Sequence, residues 1–310
     1  MIHPSAKVHL GSIVDSGVSI GESTFVSAYS HIVSGATIGR DCSILDHVLI
    51  ESDVHVGDRV TVKGGVQIGQ GVRLEDEVYV GSNTTITDNK CSPLRQDGDK
   101  NLVTYICRGA FIGANATLLS GIRIGAGSIV EAGAVVASNV PPKAIVSGNP
   151  AKIVGYRDAV KKQGTVTGDA GELERSSVEG VQLYSVHNVK DLRGDLAALE
   201  WDKDLPFNPK RIFFVYNVPS DLIRGEHAHK VCHQFLLCIH GSIAVVLDDG
   251  NNREEFLLSD PQIGIHIPPK VWGTQYKYSS GAVLVVLASH EYDAGDYIRD
   301  YEDYLTFVTL

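Results

Sequence analysis

The sequence predicts an all-β chain of two unlike folds, a β-helix followed by an antiparallel barrel. Three observations predict it. An aliphatic residue returns at every sixth position through the first half. Short strand-like runs separated by turn residues fill the second half. A glycine-rich stretch without aromatics divides the two.

The rungs of the first half are Ile2, Val8, Val14, Ile20, Val26, Ile32, Ile38, Ile44, Ile50, Val56, Val62, Ile68, Leu74, Val80 and Ile86. After a gap of twenty residues they resume at Ile106, Ile112, Leu118, Ile124, Val130 and Val136. A period of six fits neither a 3.6-residue helix nor a lone alternating strand. It marks a hexapeptide solenoid, in which three short strands make one triangular coil. Seven such coils, at ~4.8 Å between stacked strands, give a prism about 34 Å long. Glycine often follows the rung, as at Gly39, Gly57, Gly81 and Gly113, and recurs two positions further on, as at Gly17, Gly35 and Gly127. Tight corners favour it. The fifth position of the hexad is small or β-branched (Ala36, Val54, Val60, Ala116) and should point inward beside the rung. The repeat speaks for fold and not for chemistry.

Composition sets the outer bounds. The 310 residues amount to about two domains. No apolar run reaches the ~18 residues of a membrane span. The first residues already belong to the repeat, so no signal peptide is expected. Five scattered cysteines point to a reducing cytoplasm without disulfides, with Cys42 as a small core residue. The net charge is −10, and residues 181–310 hold 18 acidic against 11 basic side chains. Nucleic acid is therefore not an expected partner, and neither is a membrane.

These boundaries give a β-helix over 1–157, a flexible linker over 158–180 and a barrel over 181–310. Strand-like runs in the barrel are 181–187, 210–218, 233–240, 242–247, 254–258, 264–267 and 283–288. Strands at this spacing, with no helix between them, suggest an antiparallel barrel or jelly roll. In the tail, Tyr297, Tyr301 and Tyr304 fall at helical spacing and read as a packing face.

The chemical centre is the run Arg224-Gly225-Glu226-His227-Ala228-His229-Lys230-Val231-Cys232-His233-Gln234. On a strand, His227 and His229 share one face. A His-x-His pair of this kind opens many cupin metal sites, which add a Glu a few residues later and a distant third His. Here the Glu position falls on His233 or Gln234, and the second segment, Ile267-Pro268-Pro269-Lys270-Val271-Trp272-Gly273, has no histidine where the ligand belongs. Two histidines and a glutamine are a poor ligand set, so no metal is expected. His266 is the one residue that could complete it. Without a metal, paired imidazoles suit proton transfer.

Family resemblances extend this reading. The hexads, the interruption that begins Thr87-Asp88-Asn89-Lys90, and the ending Val140-Pro141-Pro142…Gly148-Asn149-Pro150-Ala151-Lys152 resemble the left-handed β-helix acyltransferases, in their sugar-nucleotide N-acetyltransferase branch. The Arg-Gly-x-His-Ala-His-Lys run, the turn Leu247-Asp248-Asp249-Gly250, the Ile-Pro-Pro…Trp-Gly segment and Ala288-Ser289-His290 resemble the dTDP-4-keto-6-deoxyglucose 3,4-ketoisomerases, cupin-like barrels that work without metal. Both halves together resemble the WxcM-like bifunctional ketoisomerase/N-acetyltransferases.

That resemblance implies a barrel that moves a ketone from C4 to C3 of a nucleotide-linked 6-deoxyhexose. A separate aminotransferase would follow. The β-helix would then acetylate the amine from acetyl-CoA, completing a 3-acetamido-3,6-dideoxyhexose donor for surface polysaccharide. It implies that His227 or His229 moves the sugar proton with Tyr216 as acid partner. Arg224 and Lys230 would meet the diphosphate, Gln234 would contact substrate, and Trp272 would wall the cavity. For acetyl transfer an amine nucleophile must lose a proton, and the candidates to receive it are His31, Asp88, Asn89 and Glu131; relatives carry Asn then Asp where this chain has Asp88-Asn89. CoA would run along Gly109, Ala126 and Gly127, with Lys152 at a phosphate. A trimer, or a pair of trimers, is expected. Two rivals stay open: a β-helix scaffold carrying a non-catalytic sugar-binding cupin, and a metal-dependent cupin. The C4 configuration and the identity of the acyl group are open as well.

Overall fold

Each rung from Val8 to Val136 is the second residue of a two-residue strand, from Lys7–Val8 to Val135–Val136. The computed structural model describes residues 1–88, 103–163, 176–192, 194–219 and 222–309. These form two units, Met1–Arg157 and Asp158–Leu310.

In the first unit the strands stack as three parallel sheets, one per face of a solenoid of about seven turns. Partners sit 18 residues apart, as in Lys7↔Phe25 and Thr61↔Tyr79. Across the interruption the partners are Arg73↔Tyr105, Tyr79↔Phe111 and Thr85↔Thr117. Fourteen extra residues thus enter the chain and the ladder keeps its register. From Ile20 onward the rungs are buried, and so are the small residues beside them, including Ala36, Val54, Val60 and Cys42.

The two sets of glycines have different causes. Gly127 sits at a corner with φ +63, the left-handed region that glycine enters most easily. Gly113 has no such φ; a Cβ there would lie 2.5 Å from the backbone nitrogen of Ala132 in the next coil. The solenoid ends in the antiparallel pair Ala144–Ser147 and Lys152–Tyr156.

The second unit is built of two large facing sheets and a two-stranded one, His187–Asp191 with Gly194–Ala198. One runs in the order Val160–Gln163, Arg253–Leu258, Ile243–Asp248, Trp272–Tyr276, Arg224–His229, Tyr297–Ile298. The other runs Gln182–Ser185, Ile263–Ile267, Gln234–His240, Val283–Ala288, Arg211–Tyr216. All these pairings are antiparallel except that of Val160–Gln163 with Arg253–Leu258, which is parallel. Val245, Leu247, Phe256, Ile265, Leu236 and Val286 fill the space between the sheets.

The stretch expected as a linker departs from that expectation at both ends. Val160–Gln163 is a strand, and Val178 is core. The reason lies in Glu254, which is buried and takes Lys162, Ser176 and Ser177 as partners. A buried carboxylate needs such donors, and polar composition hid them. Residues 164–175 lie outside the described residues. In the tail the helix is Tyr301–Thr309; Tyr301 and Tyr304 pack against Trp272, whereas Tyr297 belongs to a strand. Among the described residues no helix is long and apolar enough to cross a membrane.

Candidate active site

The strand Arg224–His229 owes its geometry to a bulge. Arg224 pairs with Gln275 and His227 with Gly273, with a register shift between Gly225 and His227. Glu226 takes φ 52 there. One extra residue in the strand shifts the phase of the alternation, so Arg224, His227 and His229 fall on one face, with His229 buried, His227 half-buried and Arg224 exposed. A Cβ on Gly225, itself at φ +83, would lie 2.5 Å from the carbonyl oxygen of Gly273.

The two imidazoles meet edge to face, with ring centroids 5.0 Å apart. Tyr297 completes a three-ring cluster at 4.8 Å from His227 and 4.4 Å from His229. His229 is held at both nitrogens. Its Nδ1 lies 2.7 Å from Oδ2 of Asp296, and its Nε2 lies 3.0 Å from the amide nitrogen of Gln234. An amide nitrogen only donates, so Nε2 carries the lone pair and Nδ1 the proton. Asp296 is fixed in turn: its Oδ1 accepts from the backbone N–H groups of Lys230 and Val231.

His227 is held at one nitrogen. Its Nδ1 lies 2.9 Å from the carbonyl of Gly225, which only accepts. The proton therefore sits on Nδ1, and the Nε2 lone pair has no partner among the described residues. Burial lowers the His227 pKa from 6.5 to about 4, and nearby Arg299 pushes the same way. Burial lowers that of His229 too, against the pull of Asp296. Burial works to raise the Asp296 pKa, but the Val231 N–H and the His229 ring hold it down. At neutral pH the site has two neutral imidazoles and an anionic carboxylate.

Several expected residues stand elsewhere. Tyr216 shares the outward face of its strand with Ile212 and Phe214 and is 62% exposed, so Tyr297 is the tyrosine against the histidines. Trp272 alternates to the outer face of its sheet and packs on Tyr301 and Tyr304, outside the cavity. Lys230 donates to the carbonyl of Gly295 and secures the turn that presents Asp296. Gln234 lies against His229.

His266 does not complete a metal set. It pairs directly with Phe235, on the far face of its sheet, and stacks on His233 with Nδ1–Nε2 at 2.9 Å. Phe207 lies against both rings. The side chains of His229, Cys232 and Asp296 do offer three atoms within 4.8 Å of one another. Nδ1 of His229 and both oxygens of Asp296 are already engaged in the hydrogen bonds above. Asp296 carries no local mark in the sequence, and Tyr297 reads there only as a packing residue; they reach His229 from 67 and 68 residues away.

In the solenoid the expected residues are dispersed. His31 bonds through Nε2 to Asp15 at 3.2 Å and is 41% exposed. Asp88 follows the strand Thr85–Ile86 on the same face, three strands along, or roughly 14 Å. Glu131 is exposed on a different face. Asn89 lies outside the described residues. Gly109 and Gly127 occupy corners of adjacent coils, linked by the Gly127 N–H to the Arg108 carbonyl, with Ala126 beside them. Lys152 is exposed on the closing hairpin.

Comparison with known proteins gives a consistent picture. Residues 179–309 match the family described as WxcM-like, C-terminal. Residues 104–138 match the bacterial transferase hexapeptide and 48–88 the hexapeptide repeat of succinyl-transferase. TDP-4-oxo-6-deoxy-alpha-D-glucose-3,4-oxoisomerase of Aneurinibacillus thermoaerophilus is 42% identical over 127 residues, 41% of this chain and 91% of that one. A 2,3,4,5-tetrahydropyridine-2,6-dicarboxylate N-acetyltransferase of Staphylococcus aureus is 50% identical over 50 residues, 16% of this chain. The match spans about a fifth of that acetyltransferase, 21% of its length. A solved sugar 3,4-ketoisomerase from Thermoanaerobacterium thermosaccharolyticum, in complex with TDP, is 36% identical, with a TM-score of 0.42 over 43% of this chain and 96% of that one.

Proposed function

The chain belongs to the WxcM-like C-terminal family through residues 179–309, and from that membership we propose a bifunctional enzyme of TDP-sugar synthesis. The C-terminal unit converts TDP-4-keto-6-deoxyglucose to its 3-keto isomer. The observation that carries this is the Nε2 of His227, without a partner among the described residues, on a neutral base whose tautomer is set by Gly225.

In this reading Nε2 takes the proton from C3. The C–H electron pair becomes the C3–C4 double bond, and the C4 carbonyl oxygen takes up the charge and then a proton. The resulting enediol loses the O3 proton, C3 becomes the carbonyl, and Nε2 returns a proton to C4. His229, pinned by Asp296 and Gln234, positions the pair. Arg224, exposed on the same face of that strand, favours an anionic substrate.

The N-terminal unit acetylates the 3-amino sugar. The amine attacks the thioester carbonyl of acetyl-CoA, the CoA thiolate leaves, and the amine proton passes to a base, for which His31, Asp88, Asn89 and Glu131 are the candidates. The hexapeptide matches and the acetyltransferase relative support the reaction class. A trimer with CoA between subunits along Gly109, Ala126 and Gly127, a cytoplasmic location, and supply of a 3-acetamido-3,6-dideoxyhexose to O-antigen or lipopolysaccharide complete the proposal.

NMR of the product formed from TDP-4-keto-6-deoxyglucose, with chelator present, tests the isomerase and gives the C4 configuration. Recovery of unchanged substrate would overturn it. Thiol release from acetyl-CoA with a TDP-3-amino-3,6-dideoxyhexose tests the transferase in the same way. Sedimentation tests the trimer; an active monomer would exclude it.

A further inference from the structure

The strand Tyr297–Ile298 brings the tail to the histidines with only two paired residues, Ala228↔Ile298 and His229↔Tyr297. So short a pairing is weak at fixing its own register. A slip of one residue would turn Tyr297 outward, put Ile298 beside the site and carry Asp296 away from His229. The register must be held from beyond the strand.

The hold lies on the outer face of the same sheet, where the helix Tyr301–Thr309 docks. Asp248, Arg253 and Tyr301 form a buried cluster there, each no more than 7% exposed. The Arg253 guanidinium pairs with Asp248 and donates to the Tyr301 hydroxyl at 2.7 Å. That hydroxyl donates in turn to Oδ2 of Asp248 at 2.5 Å. Burial raises the Tyr301 pKa, so the phenol keeps the proton it donates. The Tyr304 hydroxyl lies 2.6 Å from the Asp248 carbonyl oxygen and 3.1 Å from that of Lys270. The N–H of Lys270 donates to the His229 carbonyl at 2.7 Å. The helix thus reaches His229 by two routes, through its preceding strand and through the Lys270 residue.

A buried ion pair adds little net stability over apolar residues of the same size, but its bonds allow only one geometry. Trp272, Ile298 and Tyr304 already supply the apolar contact that docks the helix. Apolar contact is non-directional and tolerates sliding; the hydrogen bonds at Tyr301 do not. We propose that Tyr301, held by Asp248 and Arg253, is a positioning residue of the isomerase, which fixes the register of the tail and so seats Asp296 on His229. The proposal deepens the isomerase reading and rests on it. Tyr301 packs with Trp272 and Ala228, on the face of the sheet away from the histidines, and acts only through the tail.

The test uses the full chain and compares Tyr301→Phe, Asp296→Asn and the double variant, with Tyr304→Phe as a second break in the anchor. Tyr301→Phe keeps the ring against Trp272 and removes the hydroxyl alone. Isomerase kcat with TDP-4-keto-6-deoxyglucose should fall roughly three- to thirtyfold, with KM changed by less than about twofold. In the Asp296→Asn background the same change should cost less than about twofold more, because Tyr301 acts through Asp296. A second readout needs no substrate. In NMR of the chain with isotope-labelled histidine, the Nδ1–H of His229 bonded to Asp296 should give a downfield proton resonance, identified by its loss in His229→Asn. In Tyr301→Phe that resonance should weaken or shift. Losses that multiply in the double variant would overturn the proposal, as would an effect on KM alone. If Tyr301→Phe lacks the native fold, Tyr304→Phe must give the same pattern; if both unfold, the cluster is structural and the assignment fails. If the unmodified chain does not isomerise, the isomerase reading falls and the positioning role with it. A chain that isomerises while the His229 resonance stays unmoved in Tyr301→Phe sinks the positioning role alone.

Discussion

Asp296 and His229 join the C-terminal tail to the barrel through one hydrogen bond of 2.7 Å, between residues 67 apart in the chain. The carboxylate accepts at Oδ2 from the ring and at Oδ1 from two backbone N–H groups. It therefore sets which nitrogen of His229 carries the proton, and through Gln234 it aligns the wall against which His227 works. Asp296→Asn should keep the shape and disturb the tautomer. We expect kcat of the isomerase to fall roughly tenfold to a hundredfold with KM little changed, since the residue acts through another side chain. Steady-state kinetics beside a melting curve would check this; a KM effect alone would place Asp296 in binding.

The two histidines should not be equivalent. His227→Asn removes the free lone pair and should cost roughly 10²- to 10⁴-fold in isomerisation. His229→Asn removes a support and should cost less. Acetyl transfer should survive both, because the substitutions lie in the other unit. Equal and small effects would sink the base assignment.

The pH dependence follows from burial. His227 is neutral down to about 4, so its basic form is present throughout the range above that value. The acidic limb of kcat/KM should lie well below the ordinary 6.5 of histidine. A limb centred at 6.5 would mean that the base is solvated or is a different residue.

Stability should respond to the other histidine pair. His266 is buried against His233 and Phe207, and burial lowers its pKa to about 4. The unfolded chain takes up a proton near 6.5 while the folded barrel refuses it until about 4. The linked stability is therefore present above 6.5 and is lost as pH falls from 6.5 toward 4, on the order of 3 kcal/mol at most. Melting temperature followed across that window should drop for the barrel, and His266→Phe should flatten the drop.

How far the sequence reveals this molecule depends on whether a feature is periodic or angular. Each solenoid rung from Val8 to Val136 is legible because a strand of two residues recurs every six, and the period itself encodes which side chain turns inward. The same is true of His227 and His229, two apart on a strand. Arg224 and His227 are three apart and would read as opposite-facing; the bulge at Glu226 puts them on one face, and a backbone irregularity leaves no periodic trace. The resemblance implied Tyr216 as acid partner and Trp272 as cavity wall, yet strand alternation turns both away from the cavity. Tyr297 and Asp296 gain their roles from a chain return that local pattern does not contain. The Val160–Gln163 strand was hidden because its partner, Glu254, demands polar company rather than apolar.

Fourteen additional residues enter between Thr85–Ile86 and Tyr105–Ile106, and the strands on either side still pair as neighbours in an unbroken stack. The column behaves like masonry with a door in it: each described course rests on the one below, whatever passes through the opening. Closing a longer loop costs little, about 0.6 kcal/mol for each doubling of its length. Evolution can therefore rewrite this one segment freely, in length or in chemistry, while the courses above and below stay frozen by their rungs. Divergence among such enzymes in the acceptor they choose should concentrate at this doorway rather than in the walls.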